Sequence, residues 1–227
     1  MNVTYANRPP PASDAEAVQS VRVLLVVEGR NDVEFLRRIS QILHQHDECL
    51  PDLGQMEQDH TLVFVPIGGG GIGESANRLA PLQLSEFHLY DHELPPETEI
   101  RRAAIEQINR RDGCRGVLTR KRSLENYLHP QAIQDSGGAC VEFSDFDSPP
   151  EILAQANYCQ TCPSLPWEQL PYRARRRLTN RVKRWLNTQA VEYMTPELLA
   201  ERDPDGEVAS WLQAIQRLAG LADVTAL

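Results

Sequence analysis

The segment Val23-Leu-Leu-Val-Val-Glu-Gly-Arg-Asn-Asp32 decides the fold prediction. Its first five residues form a short apolar run that ends near a glycine, which is typical of a buried strand in a parallel sheet. Glu28 then follows the carboxyl end of this strand, where open α/β sheets bind their ligands. Asp32 comes four residues later, in a predicted helix that Asn31 and Glu34 would cap. Acids at a strand end add little stability but are well placed to bind a metal ion.

Two further acidic segments also follow predicted strands. Phe87–Tyr90 is predicted as a strand, and alternation would place Asp91 and Glu93 on the same side if that strand continued. Residues 116–119 are predicted as another strand, with Glu125 shortly after its end. Because the carboxyl ends of parallel strands meet at one edge of a sheet, we expect these acids to converge there.

Strands and helices alternate through the first half of the chain, which predicts an α/β fold with a mostly parallel sheet flanked by helices. Residues 62–65 supply the remaining strand. Helices are predicted at about 31–46 and 97–110, the second of which would bury Ile100. Residues 47–60 are polar, contain Pro and Gly, and are predicted as a loop.

The composition along the chain predicts three regions. Residues 1–20 are rich in Pro, Ala and Ser and are expected to form a flexible arm. The α/β domain is predicted over residues 21–135, and residues 131–150, which contain paired glycines and prolines, are predicted to be irregular. Residues 150–222 have helical periodicity without predicted strands, so we expect a C-terminal helical lobe that packs on the sheet.

The acidic residues favour a metal site by their number rather than individually. A single acid is better explained by a helix cap or by solvent exposure. Carboxylates that converge in one cleft repel each other unless a cation or proton lies between them. Oxygen ligands at such density favour magnesium, manganese or calcium.

These three acidic elements resemble the TOPRIM domain, the metal-binding module of topoisomerases, primases and several nucleases. Glu28-Gly29 with Asp32 matches the glutamate element of that family. Asp91-x-Glu93 stands where the family usually has Asp-x-Asp. The run Arg122-Ser-Leu-Glu-Asn-Tyr-Leu128 is similar to the segment after the last TOPRIM strand in nucleases of the OLD (overcoming lysogenization defect) family. The resemblance covers roughly residues 21 to 130.

The resemblance implies a Rossmann-like TOPRIM fold and a Mg²⁺- or Mn²⁺-dependent endonuclease that uses two ions. Lys121 would stabilise charge on the scissile phosphate, with Arg120 and Arg122 as rivals and counter-charge to the acids as the simpler interpretation. The catalytic residues implied are Glu28, Asp91, Glu93 and Lys121. The metal ligands implied are Glu28, Asp32, Asp91, Glu93 and Glu125.

A glycine run over residues 68–73 has nearly the spacing of a phosphate-binding loop that binds ATP. Glu74 stands where that loop needs a lysine, and a carboxylate there would repel the phosphates, so an ATPase is excluded. Two interpretations are left: a loop that approaches the substrate, as in the glycine-rich segment of TOPRIM domains, or an ordinary turn.

Residues 173–184 contain seven basic residues and no acid. They fall in a helix predicted over 167–188, whose spacing puts the arginines on one side and an apolar stripe on another. Contact with a nucleic-acid backbone is predicted, and docking to an acidic protein is the rival interpretation. The arginines concerned are Arg173, Arg177, Arg181 and Arg184.

The remaining features limit the functional class. A net charge of −9 argues against non-specific coating of nucleic acid. Without an apolar signal sequence or membrane span, a cytoplasmic location is expected. Cys159-x-x-Cys162 has only Cys140 and His129 nearby as further ligands, and this spacing favours free thiols over a zinc site.

The predicted function is hydrolysis of nucleic-acid phosphodiester bonds by a two-metal mechanism, with DNA favoured over RNA. The other expected partners are a separate ATPase protein, since OLD proteins commonly carry an ATPase in the same chain, and a second copy of this chain. A role in phage defence is compatible with the resemblance. The alternative is a non-catalytic TOPRIM subunit that regulates a partner through its helical lobe.

Overall fold

A computed structural model describes residues 20–68, 72 and 77–221 of the chain. The predicted arm therefore lies outside the described residues except for Ser20. The same holds for most of the glycine run, of which Gly68 and Ile72 are described, and for Glu74.

Four parallel strands form the central sheet, in the order β2-β1-β3-β4. Their bounds are β1 Val23–Val27, β2 Leu62–Pro66, β3 Ser85–Tyr90 and β4 Cys114–Leu118. Val27, the last residue of β1, pairs with Pro66 and Leu89, so that the carboxyl ends of three strands lie side by side. The predicted α/β class with a parallel sheet and flanking helices is confirmed, and this arrangement is consistent with a Rossmann-like TOPRIM fold.

The helices extend along most of the chain after the first strand. Their bounds are α1 Arg30–His46, α2 Leu53–Gln58, α3 Glu97–Ile108, α4 Pro130–Asp135, α5 Pro149–Gln160, α6 Tyr172–Thr188, α7 Pro196–Arg202 and α8 Glu207–Leu218. Single 3₁₀ turns lie at Ala80–Leu82, Leu124–Tyr127, Trp167–Gln169 and Ala190–Tyr193. Two short helices, α2 and α4, occupy segments predicted to be irregular. Asp52 explains α2, since its side chain accepts hydrogen bonds from the first turn and caps it.

Helix α1 is not capped at Asn31, where the sequence predicted its cap. The helix is capped at Gly29, whose backbone N–H donates to Oδ2 of Asp32 at 2.7 Å. Asp32 takes the role in the capping box that had been predicted for Glu34. This bond holds the Asp32 carboxylate at the strand end instead of in solvent.

The two faces of the sheet are covered by different helices. Tyr90 packs with Ala104 and Ile108 of α3 on one face. Ile100 was predicted to be buried there, but its side chain is 54% exposed. The side chain of Arg101 turns inward instead, because it pairs with a carboxylate at the sheet edge.

The opposite face of the sheet shares one hydrophobic core with the helical region. This core joins apolar strand residues such as Leu25 to Leu186 of α6 and Trp211 of α8. Helix α8 packs directly on β1 and β3. Helix α6 packs against α1 instead.

Two observations concern the cysteines and the membrane. All five cysteines are free thiols, and Cys140, Cys159 and Cys162 are exposed. Within the described ranges, the structure has no helix of the length and apolarity that a membrane span requires.

A buried polar chain crosses the α3 face of β3. His88 is fully buried, with Nε2 2.7 Å from Glu86 Oε2 and Nδ1 2.8 Å from the Tyr90 hydroxyl. A neutral imidazole satisfies both contacts by donating from Nε2 and accepting at Nδ1. Burial lowers the pKa of His88, and the nearby Arg111 guanidinium acts in the same direction against the opposing effect of Glu86.

His88 is expected to make the fold sensitive to acid. Its folded pKa lies below the unfolded value of about 6.5, so the unfolded chain takes up a proton first and stability falls as the pH drops below that value. His88→Gln, which retains a donor towards Glu86, should lose less free energy of unfolding between pH 7 and pH 5 than the wild type. Urea unfolding across this range measures the difference, with exposed His46→Gln as control. Parallel losses in wild type and His88→Gln would contradict the assignment.

Candidate functional site

Glu28 lies directly after β1 and connects three parts of the sheet edge. Its Oε1 accepts from the backbone N–H of Asp91 at 3.0 Å, which joins the ends of β1 and β3. Arg101 of α3 clamps the same carboxylate with two hydrogen bonds of 2.8 and 2.9 Å. A bidentate arginine neutralises and orients a carboxylate. Arg101 was not predicted from the sequence, because a basic residue on a helix is usually solvated.

Asp32 and Asp91 are both 5% exposed and lie at this edge. Oδ1 of Asp91 accepts from the backbone N–H of Leu124 at 3.1 Å. Burial raises the pKa of Asp32 to about 7, with repulsion from Glu125 and Glu28 adding to it and the Lys183 ammonium opposing it. Burial likewise raises the pKa of Asp91 well above its ordinary value, again against the attraction of Lys183. The two carboxyls therefore require a cation or a proton.

Glu125 lies on the 3₁₀ turn after β4 and is 1% exposed. Its Oε1 accepts from Nδ2 of Asn187 at 2.6 Å. Its other oxygen, Oε2, is buried and has no partner among the described residues, and the same is true of Oδ1 of Asn187. Two unpaired buried oxygens on neighbouring side chains are costly unless a further donor or cation serves them.

Lys183 of α6 supplies the cation at the centre of this group. Its Nζ lies 3.4 Å from Oε1 of Glu125 and 3.8 Å from Oδ2 of Asp91. Attraction by Glu125 raises the pKa of Lys183, so the ammonium is charged at neutral pH. We call Glu28, Asp32, Asp91, Glu125 and Lys183 the carboxylate cluster. Lys183 had been counted only as part of the basic run, and its position one helical turn before the buried Asn187 is the signal that it faces inward.

Glu93 and Lys121, also predicted as site residues, have other partners. Strand β3 ends at Tyr90, so strand alternation does not relate Asp91 to Glu93. Glu93 has a φ of 53° and its carboxylate lies 3.4 Å from Nε of Arg122. Lys121 is ion-paired with Asp145, and its ammonium lies 5.6 Å from the centre of the Tyr127 ring. Neither side chain forms an ion pair or hydrogen bond with the described side chains of the carboxylate cluster.

The arginines predicted to bind nucleic acid are exposed along α6. Arg181 and Arg184 line a groove of about 710 Å³ between α6 and the first half of α1. Arg30 and Arg38 of α1 line its other side. The helix begins at Tyr172 rather than at 167, since Pro171 precedes it and separates it from a 3₁₀ turn.

Gly68 is the described start of the glycine run. It has a φ of +75°, which an L-residue adopts at a cost, and its N–H donates to the backbone oxygen of Glu28 at 2.9 Å. The run therefore begins beside the carboxylate cluster. The other residues of the predicted glycine loop, except Ile72, lie outside the described ranges.

The positions of the cations limit what the site can bind directly. Within the part of the chain that the structure describes, no three acidic, histidine or cysteine side chains are arranged as a metal centre. The physical reason is that Lys183 lies between Asp91 and Glu125 while Arg101 occupies Glu28. A divalent ion would compete with these two side chains for the same oxygens.

Comparison with known proteins gives one structural likeness. No protein-family model matches the chain, and no curated protein is significantly similar to it. A solved structure of the C-terminal region of the OLD protein of Xanthomonas campestris pv. campestris aligns with 90% of this chain and 97% of its own, at 13% identity and a TM-score of 0.47. A likeness at this level shows neither family membership nor the role of any residue.

Proposed function

We propose that the chain is a metal-dependent nuclease of the TOPRIM type that hydrolyses phosphodiester bonds, with DNA favoured over RNA. The observation that supports it is the carboxylate cluster: acids that follow three strands converge at one edge of the sheet, and two of them, Asp91 and Glu125, share the ammonium group of Lys183. Such a constellation is expensive to maintain in a fold, since each buried charge is desolvated. It is useful where a phosphate and its counter-ions have to be held and polarised.

The oxygens of the cluster suit Mg²⁺ or Mn²⁺ by their chemistry, and they would bind an ion once the cations that pair with them give way. Hard oxygen ligands suit these ions, and the unpaired Oε2 of Glu125 is available for one. Asp32, Asp91 and Glu125 would hold the ions, with Glu28 and Glu93 as further ligands if they exchange their arginine partners. Bound divalent ions would supply a nucleophilic water and neutralise charge on the phosphoryl and leaving oxygens.

The basic side chains of the site contribute without binding a metal ion themselves. Lys183 is positioned to place its ammonium on a non-bridging phosphate oxygen once the carboxylates bind ions, and it replaces Lys121 in our assignment of this role. Arg101 holds Glu28 in orientation, as residues behind a reactive group commonly do. The arginines of α6 would bind the neighbouring phosphates.

The nuclease is tested by cleavage of supercoiled plasmid and of a structured RNA in EDTA, Mg²⁺ or Mn²⁺. Glu28→Gln/Asp91→Asn preserves shape and most hydrogen bonds, while Glu99→Gln/Glu106→Gln on the exposed side of α3 removes the same charge elsewhere. We expect metal-dependent cutting that only the first variant loses, by roughly 100-fold or more, since several kcal/mol of charge stabilisation disappears.

The second candidate is a non-catalytic subunit that regulates a partner protein. It is favoured by the pairing of Glu28 with Arg101 and of Asp91 with Lys183, which already neutralises much of the cluster. Absence of cutting with every ion, in a protein that shows no thermal shift with Mg²⁺ or Mn²⁺, would support this candidate and end the nuclease proposal.

A further inference from the structure

The groove between α1 and α6 carries a strong unbalanced positive charge. Its walls carry the guanidinium groups of Arg30, Arg38, Arg181 and Arg184, and we call it the arginine groove. Glu34 is the one acid in its described lining. That acid is already occupied, because its carboxylate pairs with Arg38 at 2.5 Å and with Arg37 at 3.3 Å.

Three of the four arginines have no acidic partner among the described residues. The guanidinium groups of Arg30, Arg181 and Arg184 form no ion pair or hydrogen bond with any described residue, and all three residues are exposed. In a chain with net charge −9, three unpaired guanidinium groups around one cavity require a reason. An anionic ligand provides it, since arginine binds phosphate groups with two parallel hydrogen bonds.

The arginine groove lies next to the carboxylate cluster on the same two helices. In α6, Arg181, Arg184 and Trp185 face the groove, whereas Lys183 faces the cluster. In α1, Arg30 lines the groove two residues before Asp32. Adjacent faces of one helix are separated by only a few ångströms. A chain of phosphates that enters the groove is thereby led to the cluster.

We propose that the arginine groove binds a single strand of nucleic acid beside the scissile bond. This deepens the proposed nuclease function and rests on it. A volume of about 710 Å³ is in the range of cavities that enclose a small ligand, so roughly one or two nucleotides of a strand can lie inside. Trp185 gives the wall an aromatic surface, and charged grooves with aromatic walls are typical of single-strand binding sites.

The test is fluorescence anisotropy with a short single strand and the duplex of the same sequence, in EDTA so that no cleavage occurs. Arg181→Gln/Arg184→Gln removes two of the four arginine charges of the groove, and Arg102→Gln/Arg110→Gln removes two exposed charges in α3 and just after its end. We expect the groove variant to bind the single strand about 10-fold or more weakly. Its slope of log affinity against log salt should fall by about 1.4, the value for two lost phosphate contacts. The control should match the wild type.

The outcomes separate this inference from the nuclease proposal. Unchanged single-strand binding by the groove variant would overturn the inference, even if the wild type cuts DNA. Tighter binding of the duplex than of the single strand would overturn the assigned substrate class. A third outcome is possible, in which binding depends on the groove but Glu28→Gln/Asp91→Asn does not reduce cutting. This result would support the groove and reject the proposed catalytic residues.

Discussion

Replacing Lys183 with methionine is expected to abolish metal-dependent cleavage and to destabilise the protein in EDTA. Methionine keeps most of the length of the side chain but removes the ammonium between Asp91 and Glu125. Removing one partner of a buried ion pair costs roughly 3–5 kcal/mol. The loss here should lie at the lower end, because the Lys183 side chain is 29% exposed and because Asp32 and Asp91, whose pKa values are raised, can take up a proton. For a chain of this size, about 3 kcal/mol lowers the Tm by roughly 6–12 °C.

Divalent ions should reverse part of that loss. Without the ammonium, the oxygens of Asp91 and Glu125 are free for an ion that binds the folded state only, and such binding raises stability by mass action. The rise in Tm on adding Mn²⁺ should therefore be larger for Lys183→Met than for the wild type. Differential scanning fluorimetry with and without Mn²⁺ measures both effects.

Arg217→Met is the control for Lys183→Met, because it removes an exposed cation from α8, at a residue that belongs to neither the carboxylate cluster nor the arginine groove. It should leave the Tm in EDTA nearly unchanged. If Lys183→Met were as stable and as active as this control, Lys183 would have neither an electrostatic nor a catalytic role. If Mn²⁺ shifted neither protein, the cluster would not be a metal site.

Changing Asn126 to aspartate is expected to cause the largest loss of stability among isosteric substitutions near the site. The Asn126 amide is fully buried; its Nδ2 donates to the backbone oxygens of Ser144 and Asp147 at 3.0 and 3.2 Å. Its Oδ1 accepts from the N–H and hydroxyl of Ser123 at 3.1 and 2.9 Å. These bonds fix the 3₁₀ turn that carries Glu125.

Aspartate at position 126 would lose both donors and direct a carboxylate at two carbonyl oxygens. Burying that charge against two carbonyl oxygens, with only the two Ser123 donors to stabilise it, should lower the free energy of unfolding by roughly 3–5 kcal/mol at pH 7, and by less at pH 4 where aspartate is protonated. Urea unfolding at both pH values tests this. Cleavage should fall as well, since Glu125 loses its support.

Asn109→Asp provides the comparison for this substitution. Asn109 is exposed, and its amide pairs with the backbone N–H and oxygen of Gly116 at 2.7 and 3.1 Å. Only one donor is lost there, in contact with water, so the expected cost is about 1 kcal/mol or less. Equal losses for the two substitutions would show that burial of Asn126 is not what makes it important.

The sequence predicted the sheet well because its signals are local. Each strand is a short apolar run with a sharp polar end, and burial on both faces of a parallel sheet demands that pattern. The order of strands and helices then placed Glu28, Asp91 and Glu125 at one edge without any knowledge of contacts. The short helix α2 was missed, because a six-residue helix with one cap at Asp52 carries little periodicity.

The partners of charged side chains were much harder to predict than the strands. Arg101 and Lys183 were not singled out, although both contact carboxylates of the cluster. Lys121 was preferred because it follows a strand, yet it pairs with Asp145 from a distant loop. A long flexible side chain finds its partner through packing between elements far apart in sequence, and helical spacing shows only which face it occupies.

By itself the amino-acid sequence determined the α/β sheet and which acids stand at its carboxyl edge, since apolar runs and strand ends are properties of consecutive residues. Only the tertiary structure decided which cations join those acids. Packing of α6 against α1 brings Lys183 to Asp91 and Glu125, and the same packing forms the arginine groove beside them. These contacts join positions about 60 to 150 residues apart, and their geometry depends on how the helices cross, which no local pattern encodes.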